Sequence, residues 1–293
     1  MEAEQYNEIK TLAIIAMFSD DLLMDQLVLK GGNLLDIVYG VAHRSSLDLD
    51  FSVEHEFQRG ALPEIRERIR RALHNTFEGH GYEAFDVRLI ERPEHVTADM
   101  ASFWGGYRAE FKVIQSVQYV ELQHDTEALR RYATLVGPKQ KRIFPIDISK
   151  FEYCQPKTES RLRGTRIYVY TPTMLVSEKL RALSQQLEEY SAVVRAPSRS
   201  PRAPDFFDIY TICDAFAIDL TSTQSRELLR RIFRAKRVPL SFLGLLGNSR
   251  EYHRPDFLRL KETVKPGFDL KSFDFYFDYV LQLCEALKPL WEE

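Results

Sequence analysis

Residues 28–53 read VLKGGNLLDIVYGVAHRSSLDLDFSV, and the order of patterns in this stretch decides the fold. A short apolar burst carrying Lys30 runs into the pair Gly31-Gly32, which reads as a brief strand ending in a glycine turn. NLLDIVYG (33–40) repeats apolar residues at three-to-four spacing, so a helix of about two turns is expected straight after the glycines. LDLDFSV (47–53) alternates strictly between apolar and polar, the pattern of a half-buried strand. Asp48, Asp50 and Ser52 then project from one face, and Leu47, Leu49, Phe51 and Val53 from the other. Two carboxylates on adjacent same-face positions repel each other unless something positive sits between them.

Upstream, Ile9, Leu12, Ile15 and Ala16 fall at helical spacing within residues 6–27. Downstream, PEIRERIRRALHNTFE (63–78) is an amphipathic helix opened by Pro63 and closed by Gly79. FDVRLIE (85–91), YRAEFKVI (107–114) and KRIFPIDIS (141–149) read as strands, the last carrying Asp147 between Ile146 and Ile148. Residues 1–168 therefore form an α+β core around a mixed sheet, and residues 169–293 a mainly helical lobe, with the site expected in the cleft between. The lobe opens at YTPTMLVSEKLRALSQQLEEY (170–190), where Thr171-Pro172 signals a helix start. Val176, Leu180, Leu183 and Leu187 form its core stripe, and Lys179 lies about 60° away, bordering the interior without entering it. SAVVRAPSRSPRAP (191–204), with three prolines, is a loop. Residues 205–217, 223–237 and 271–288 have helical patterns.

With 40 Lys+Arg against 43 Asp+Glu, the 293-residue chain carries a net charge of −3, so any nucleic-acid surface must be local. No apolar run approaches the roughly 20 residues of a membrane span, and MEAEQYNEIK is too acidic and polar for a signal peptide, so a cytoplasmic protein without membrane association is expected. Cys154, Cys213 and Cys284 are too far apart for a zinc ribbon and read as buried small hydrophobes. The chain lacks G-x-x-x-x-G-K-[ST], G-x-S-x-G, G-x-G-x-x-G and H-E-x-x-H; His55-Glu56 comes near the last, with Arg59 in place of the second histidine. Ser52-Val53 likewise breaks the calcium-loop pattern. Any metal must be held by carboxylates.

Three features then line up: the Gly31-Gly32 turn, the Asp48-x-Asp50 strand and Asp147. Glycines let backbone approach phosphates, and the N–H groups of a following helix start favour negative charge. Three carboxylates on adjacent strands suit one or two Mg²⁺ or Mn²⁺ ions, and Lys179 suits the β- and γ-phosphates of an NTP. Each feature alone has a plain structural reading, as solvated carboxylates, an ordinary turn and a snorkelling lysine; together they describe a nucleotidyl-transfer site.

LVLKGGNLLDIVYGVAHRSSLDLDF resembles the opening signature of the AbiEii/AbiGii-type nucleotidyltransferase toxins, relatives of the MenT toxins within the DNA polymerase β-like nucleotidyltransferase superfamily. The match runs in order through Lys30-Gly31-Gly32, an apolar helix, Arg44 with Ser45 or Ser46, and Asp48-x-Asp50-Phe51. YRAEFKVI and PIDIS resemble the central strands, SEKLRAL the lysine motif with Lys179, and RAPDFFDIY the R-x-x-D-x-x-D motif with Arg202, Asp205 and Asp208. The resemblance covers about residues 5–215. Asn33 stands where the family usually has Ser or Thr, and Pro204 where a basic residue commonly precedes the acid.

The resemblance implies a nucleotidyltransferase fold and transfer of a nucleoside monophosphate from an NTP to a hydroxyl of RNA, with tRNA as acceptor, by a toxin held in check by a cognate antitoxin. It assigns metal binding to Asp48, Asp50 and Asp147, catalysis to these and Lys179, and nucleotide contacts to Lys30, Gly31, Gly32, Asn33, Arg44, Ser46, Lys179, Arg202 and Asp205. Two other readings are a protein or small-molecule acceptor, and an NTP-binding regulatory module without turnover. Outside the motifs, Arg226, Arg230, Arg234 and Arg237 recur at helical spacing in RELLRRIFRAKR (226–237), either a solvated face or an RNA-contacting one.

Overall fold

The computed structural model describes residues 3–46, 48–58, 60–123, 125–136, 141–194 and 199–292; Leu47, Arg59 and part of the 191–204 loop lie outside them. The chain forms two compact units, Met1–Asn33 with Leu47–Val169, and Leu34–Ser46 with Tyr170–Glu293. The stretch after the glycine turn thus packs with the C-terminal part of the chain.

The first unit contains α1 (Ala3–Met17), α2 (Asp21–Gln26), β1 (Val28–Lys30), the single turn α3 (Gly31–Asn33), β2 (Leu49–Ser52), α4 (Leu62–Glu78), β3 (Tyr82–Arg92), β4 (Gly106–Gln115), α5 (Ser116–Glu121), α6 (Thr126–Tyr132), β5 (Phe144–Ser149), β6 (Thr158–Leu162) and β7 (Thr165–Val169). The seven strands form one mixed sheet in the order β3-β4-β5-β2-β1-β7-β6, with β2–β5 and β1–β7 parallel and the other pairs antiparallel. Strand alternation sends Leu49, Phe51, Tyr107, Ala109, Phe111, Phe144, Ile146 and Ile148 to one buried face. Phe111 stacks on Phe144 at 5.5 Å and meets Phe77 of α4 edge-on at 5.8 Å, while Phe18, just beyond α1, packs on Phe51. Each such aromatic, fully buried, contributes about 2–3 kcal/mol.

The continuous pattern over residues 6–27 resolves into two helices. α1 stops at Met17, and the Asp20 carboxylate accepts from the Leu23 N–H at 3.1 Å to start α2. The hairpin β6–β7, turning at Arg163-Gly164, was not foreseen, because TESRLRGTRIYV carries charged residues on its exposed positions. The helix expected after the glycines begins on them and is irregular: one α-turn over Gly31–Asn33, then a π-turn over Leu34–Val38.

The second unit contains α7 (Pro172–Ser184), α8 (Ala203–Phe216), α9 (Thr223–Ala235), α10 (Arg250–His253), α11 (Phe257–Thr263), α12 (Phe273–Ala286) and α13 (Lys288–Trp291), with 3-10 turns between. Thr171 caps α7, its hydroxyl accepting from the Met174 N–H. Phe206 stacks on Phe277 at 4.9 Å, and Phe207 meets Tyr276 edge-on at 5.2 Å, joining α8 to α12. The 34–46 segment is tied to this unit by the Tyr39 hydroxyl donating to the Tyr170 carbonyl at 2.6 Å and the Ser45 N–H donating to the Thr263 carbonyl at 2.9 Å. All three cysteines are buried and free.

Gly31 sits at φ +78°, and a Cβ there would run into the Asp50 carboxylate; Gly40, at φ +67°, faces open space. Left-handed backbone costs a side-chain-bearing residue about 1–2 kcal/mol. Gly40→Ala should cost about that much. Gly31→Ala should cost about 1 kcal/mol more, from the displaced Asp50. Urea denaturation of both variants checks the difference.

Candidate active site

In the first unit, strand register assembles a row of charges. Lys30 of β1 lies opposite Asp50 of β2, Asp50 beside Asp147 of β5, and Asp147 opposite Arg108 of β4. Paired residues project to the same side, so the row runs cation, acid, acid, cation across four neighbouring strands. Arg108 grips Asp147 with both arms, Nε to Oδ1 at 2.7 Å and Nη2 to Oδ2 at 2.8 Å. Lys30 is buried, donating to the Ser149 hydroxyl at 3.3 Å and lying 3.6 Å from Glu152.

Asp48 lies just before β2, exposed. Its main chain is pinned: Lys10 Nζ donates to Asn33 Oδ1 at 2.9 Å, and Asn33 Nδ2 donates to the Asp48 carbonyl. Asn33, fully buried, uses its side chain to fix the strand entrance. Gly31 and Gly32 are half-buried in the intervening turn. Desolvation by surrounding protein raises the Asp48 pKa, the Asp147 charge raises it further, and Arg108 and Lys141 oppose both. Burial and the Asp48 charge together push the Tyr6 phenol up to about 12.

These carboxylates have the right donor chemistry for a divalent cation, since hard oxygens suit Mg²⁺. Among the described residues, however, no three His, Cys, Asp or Glu side chains are grouped closely enough to hold a metal ion. Arg108 donates to both oxygens of Asp147, the third carboxylate of the expected trio.

The second unit holds the other motif residues. Lys179 of α7 is only 5% exposed, which corrects its expected place at the edge of the core. Nearly all of α7 from Met174 to Ser184 is buried, so no flank of the helix is left for a snorkelling lysine. Lys179 Nζ donates to Asp205 Oδ1 and Asp208 Oδ2, both at 2.8 Å. Arg44 grips Asp208 from Nε at 2.8 Å and Nη2 at 2.6 Å, and Arg202 pairs with the outer oxygen of Asp205. Ser46 is half-buried near Arg44 in sequence. Burial alone would raise both aspartate pKa values, but Arg202 and Lys179 at Asp205, and Arg44 and Lys179 at Asp208, hold them well below the ordinary carboxylate range. Burial would lower the Lys179 pKa, and the two carboxylates raise it instead. Three cations against two anions leave this cluster net positive, with Arg202 its most exposed member.

Four contributors went unnoticed in the sequence. Lys10, His253 and Asp256 sit outside every motif, and Arg108 lies in the central strand YRAEFKVI, whose alternation could have placed it on a charged face. His253 and Asp256 seat the start of α8: the Arg202 N–H donates to His253 Nδ1 at 3.0 Å, and the Ala203 N–H to Asp256 Oδ2 at 3.2 Å. His253 Nδ1 must stay unprotonated to accept, and His253 Nε2 is buried with no hydrogen-bond partner among the described residues. Burial lowers the His253 pKa to about 4, with Arg202 and Arg199 adding to the shift and Asp205 opposing it.

That depression predicts a pH dependence. Below about pH 6.5 the unfolded chain protonates His253 while the native protein does not, so stability falls as pH drops from 6.5 toward 4. The loss amounts to roughly 3 kcal/mol. His253→Gln should be less stable at pH 7.5 and should lose less between pH 6.5 and 4.5, as read from urea midpoints. Equal losses in both proteins would contradict the assignment.

A family model described as "Nucleotidyl transferase AbiEii toxin, Type IV TA system" matches residues 13–279. A crystal structure of a provisional nucleotidyltransferase from H. pylori superposes with a TM-score of 0.50 at 15% identity, covering 99% of each chain, which shows a shared fold. An antigenic nucleotidyltransferase-like protein from Paracoccidioides brasiliensis is more distant, with a TM-score of 0.38 at 13% identity over 90% of this chain and 96% of its own. No curated protein matches. Among the described residues no helix is long and apolar enough to cross a membrane. With the family match spanning nearly the whole chain and including the glycine turn, the aspartate strand and the lysine and R-x-x-D-x-x-D motifs, the protein belongs to the AbiEii family of nucleotidyltransferase toxins.

Proposed function

We propose that the protein transfers a nucleoside monophosphate from an NTP to a hydroxyl of an RNA acceptor, tRNA, in a reaction that depends on Mg²⁺ or Mn²⁺. The observation that carries this reading is the paired register of Asp50 and Asp147, flanked by Lys30 and Arg108, with Asp48 just before β2 and near enough for the Asp147 and Arg108 charges to act on it. The acceptor hydroxyl oxygen attacks the α-phosphorus and gives up its proton to solvent water, the bond to the bridging oxygen of the β-phosphate breaks, and pyrophosphate leaves with that electron pair. A divalent cation at Asp48 and Asp50, when bound, neutralises phosphate charge and stabilises the attacking and leaving oxygens. Asp147, with both oxygens accepting from Arg108, orients that arginine and adds negative charge beside Asp48 rather than acting as a ready base. Gly31 gives the backbone room beside Asp50. The net-positive cluster around Lys179 is the phosphate-attracting element of the second unit, with Arg202 and Arg44 as its outer groups. Family membership supports an antitoxin partner and a cytoplasmic setting for the enzyme.

The test is incubation of the purified protein with each α-labelled NTP, Mg²⁺ and total bacterial RNA, resolved on a denaturing gel. Label should enter tRNA-sized bands, disappear with EDTA, and fall by at least about a thousandfold in Asp50→Asn, the scale of losing a transition-state charge stabiliser. Label in protein or small molecules alone would replace the RNA acceptor. A protein that binds NTP without labelling anything would be a regulatory module.

Arg108→Met should move the acid limb of the pH–rate profile upward. Removing the guanidinium leaves Asp147 uncompensated next to Asp48 and raises the Asp48 pKa, so a higher pH is needed to ionise it. An unmoved limb with reduced rate would assign Arg108 a purely structural part.

A further inference from the structure

Helix α9 is amphipathic. Leu228, Leu229, Ile232 and Phe233 are buried, while Arg226, Arg230 and Arg234 recur every four residues. Beyond its end at Ala235, Arg237 adopts φ +52°, a left-handed conformation unusual for a non-glycine residue. The turn carries Arg237 to the same concavity as Arg230 and Arg234. There the three arginines line a cavity of about 520 Å³ whose accessible apolar lining includes Pro239, Leu240 and Trp291. The indole is fixed in place, its N–H donating to the Cys284 carbonyl at 2.9 Å and its ring lodged so close to Gly244 that a Cβ there would lie 2.8 Å from it.

We propose that this cavity binds a short segment of single-stranded RNA, with phosphates on Arg230, Arg234 and Arg237 and a base over the apolar floor. Three arginines lining one concavity favour a polyanion, because the planar guanidinium fork matches phosphate oxygens. The apolar floor selects, among polyanions, one that carries flat rings, which an acidic peptide lacks. The volume admits a nucleotide or two and requires an unpaired base, since a duplex keeps its bases stacked inward. As the place that holds acceptor RNA, the cavity rests on the proposed transfer reaction; as a binding site it is measured without it. α9 packs on α7, the helix that carries Lys179.

The test uses the full chain and a fluorescein-labelled single-stranded RNA of about 12 nucleotides, without NTP or metal, followed by anisotropy across a salt series. Arg234→Ala/Arg237→Ala should weaken binding roughly tenfold and flatten the plot of log affinity against log salt by about 1.4, about 0.7 for each lost phosphate contact. Ser241→Glu, which places a carboxylate at an exposed position on the cavity wall, should weaken binding without removing any arginine and serves if the double variant does not fold. Asp50→Asn should bind RNA as the unaltered protein does, so the cavity stands even if no RNA is labelled in the transfer assay. A folded double variant with unchanged affinity and salt slope overturns the proposal. So does competition by polyglutamate or free ATP as effective as that by unlabelled RNA at equal charge, which would assign the cavity to an acidic protein or to free nucleotide.

Discussion

Asp50 and Asp147 stand side by side on neighbouring parallel strands, about 4.8 Å apart along the sheet. Two like charges at that spacing oppose the register that brings them together. The pairing of Leu49 with Ile146 and Phe51 with Ile148 on the opposite, buried face favours it, because a one-residue slip would turn every apolar side chain outward. Lys30 and Arg108 on the outer strands then offset the repulsion from either side. Because Gly31 directly follows Lys30, the turn that enters the second unit lies against the same carboxylate, and its missing side chain leaves the space Asp50 occupies. The chemistry of the polar face follows from the packing of the apolar one.

The second unit solves a different electrostatic problem. Lys179, Asp205 and Asp208 are all buried, and taking three charges out of water is tolerable only with close hydrogen-bonded partners. Arg44 and Arg202 complete the set from the rim. Such a cluster adds little net stability compared with an apolar core, but it tolerates only one seating of α8 against α7, since a shift of one residue would strand a charge. His253 and Asp256 serve the same end by holding the first N–H groups of α8, the groups a helix start leaves without intrahelical partners.

Local patterns were legible wherever one period dominated. The alternation in LDLDFSV and PIDIS marked β2 and β5, the helical spacing in 63–78 marked α4, and Thr171-Pro172 marked the start of α7. β6 and β7 were not legible, since an edge hairpin with exposed charges has no apolar period to read. The break between α1 and α2 was hidden because both helices bury apolar residues at a common spacing, and only the Asp20 cap separates them.

What the sequence determined by itself was the inventory and its order: a glycine turn, an Asp-x-Asp strand, a third strand aspartate, a lysine helix and an R-x-x-D-x-x-D helix. These are properties of short segments, set by backbone geometry and spacing. Only the tertiary structure decided which charges meet. Arg108 reaches Asp147 across 39 residues and Arg44 reaches Asp208 across 164. His253 acts on Arg202 from 51 residues away. Lys179 is buried because neighbouring elements cover nearly all of α7, something its own helical stripe could not reveal. Ion pairing and desolvation depend on distance in space, and no local period in the chain encodes that distance.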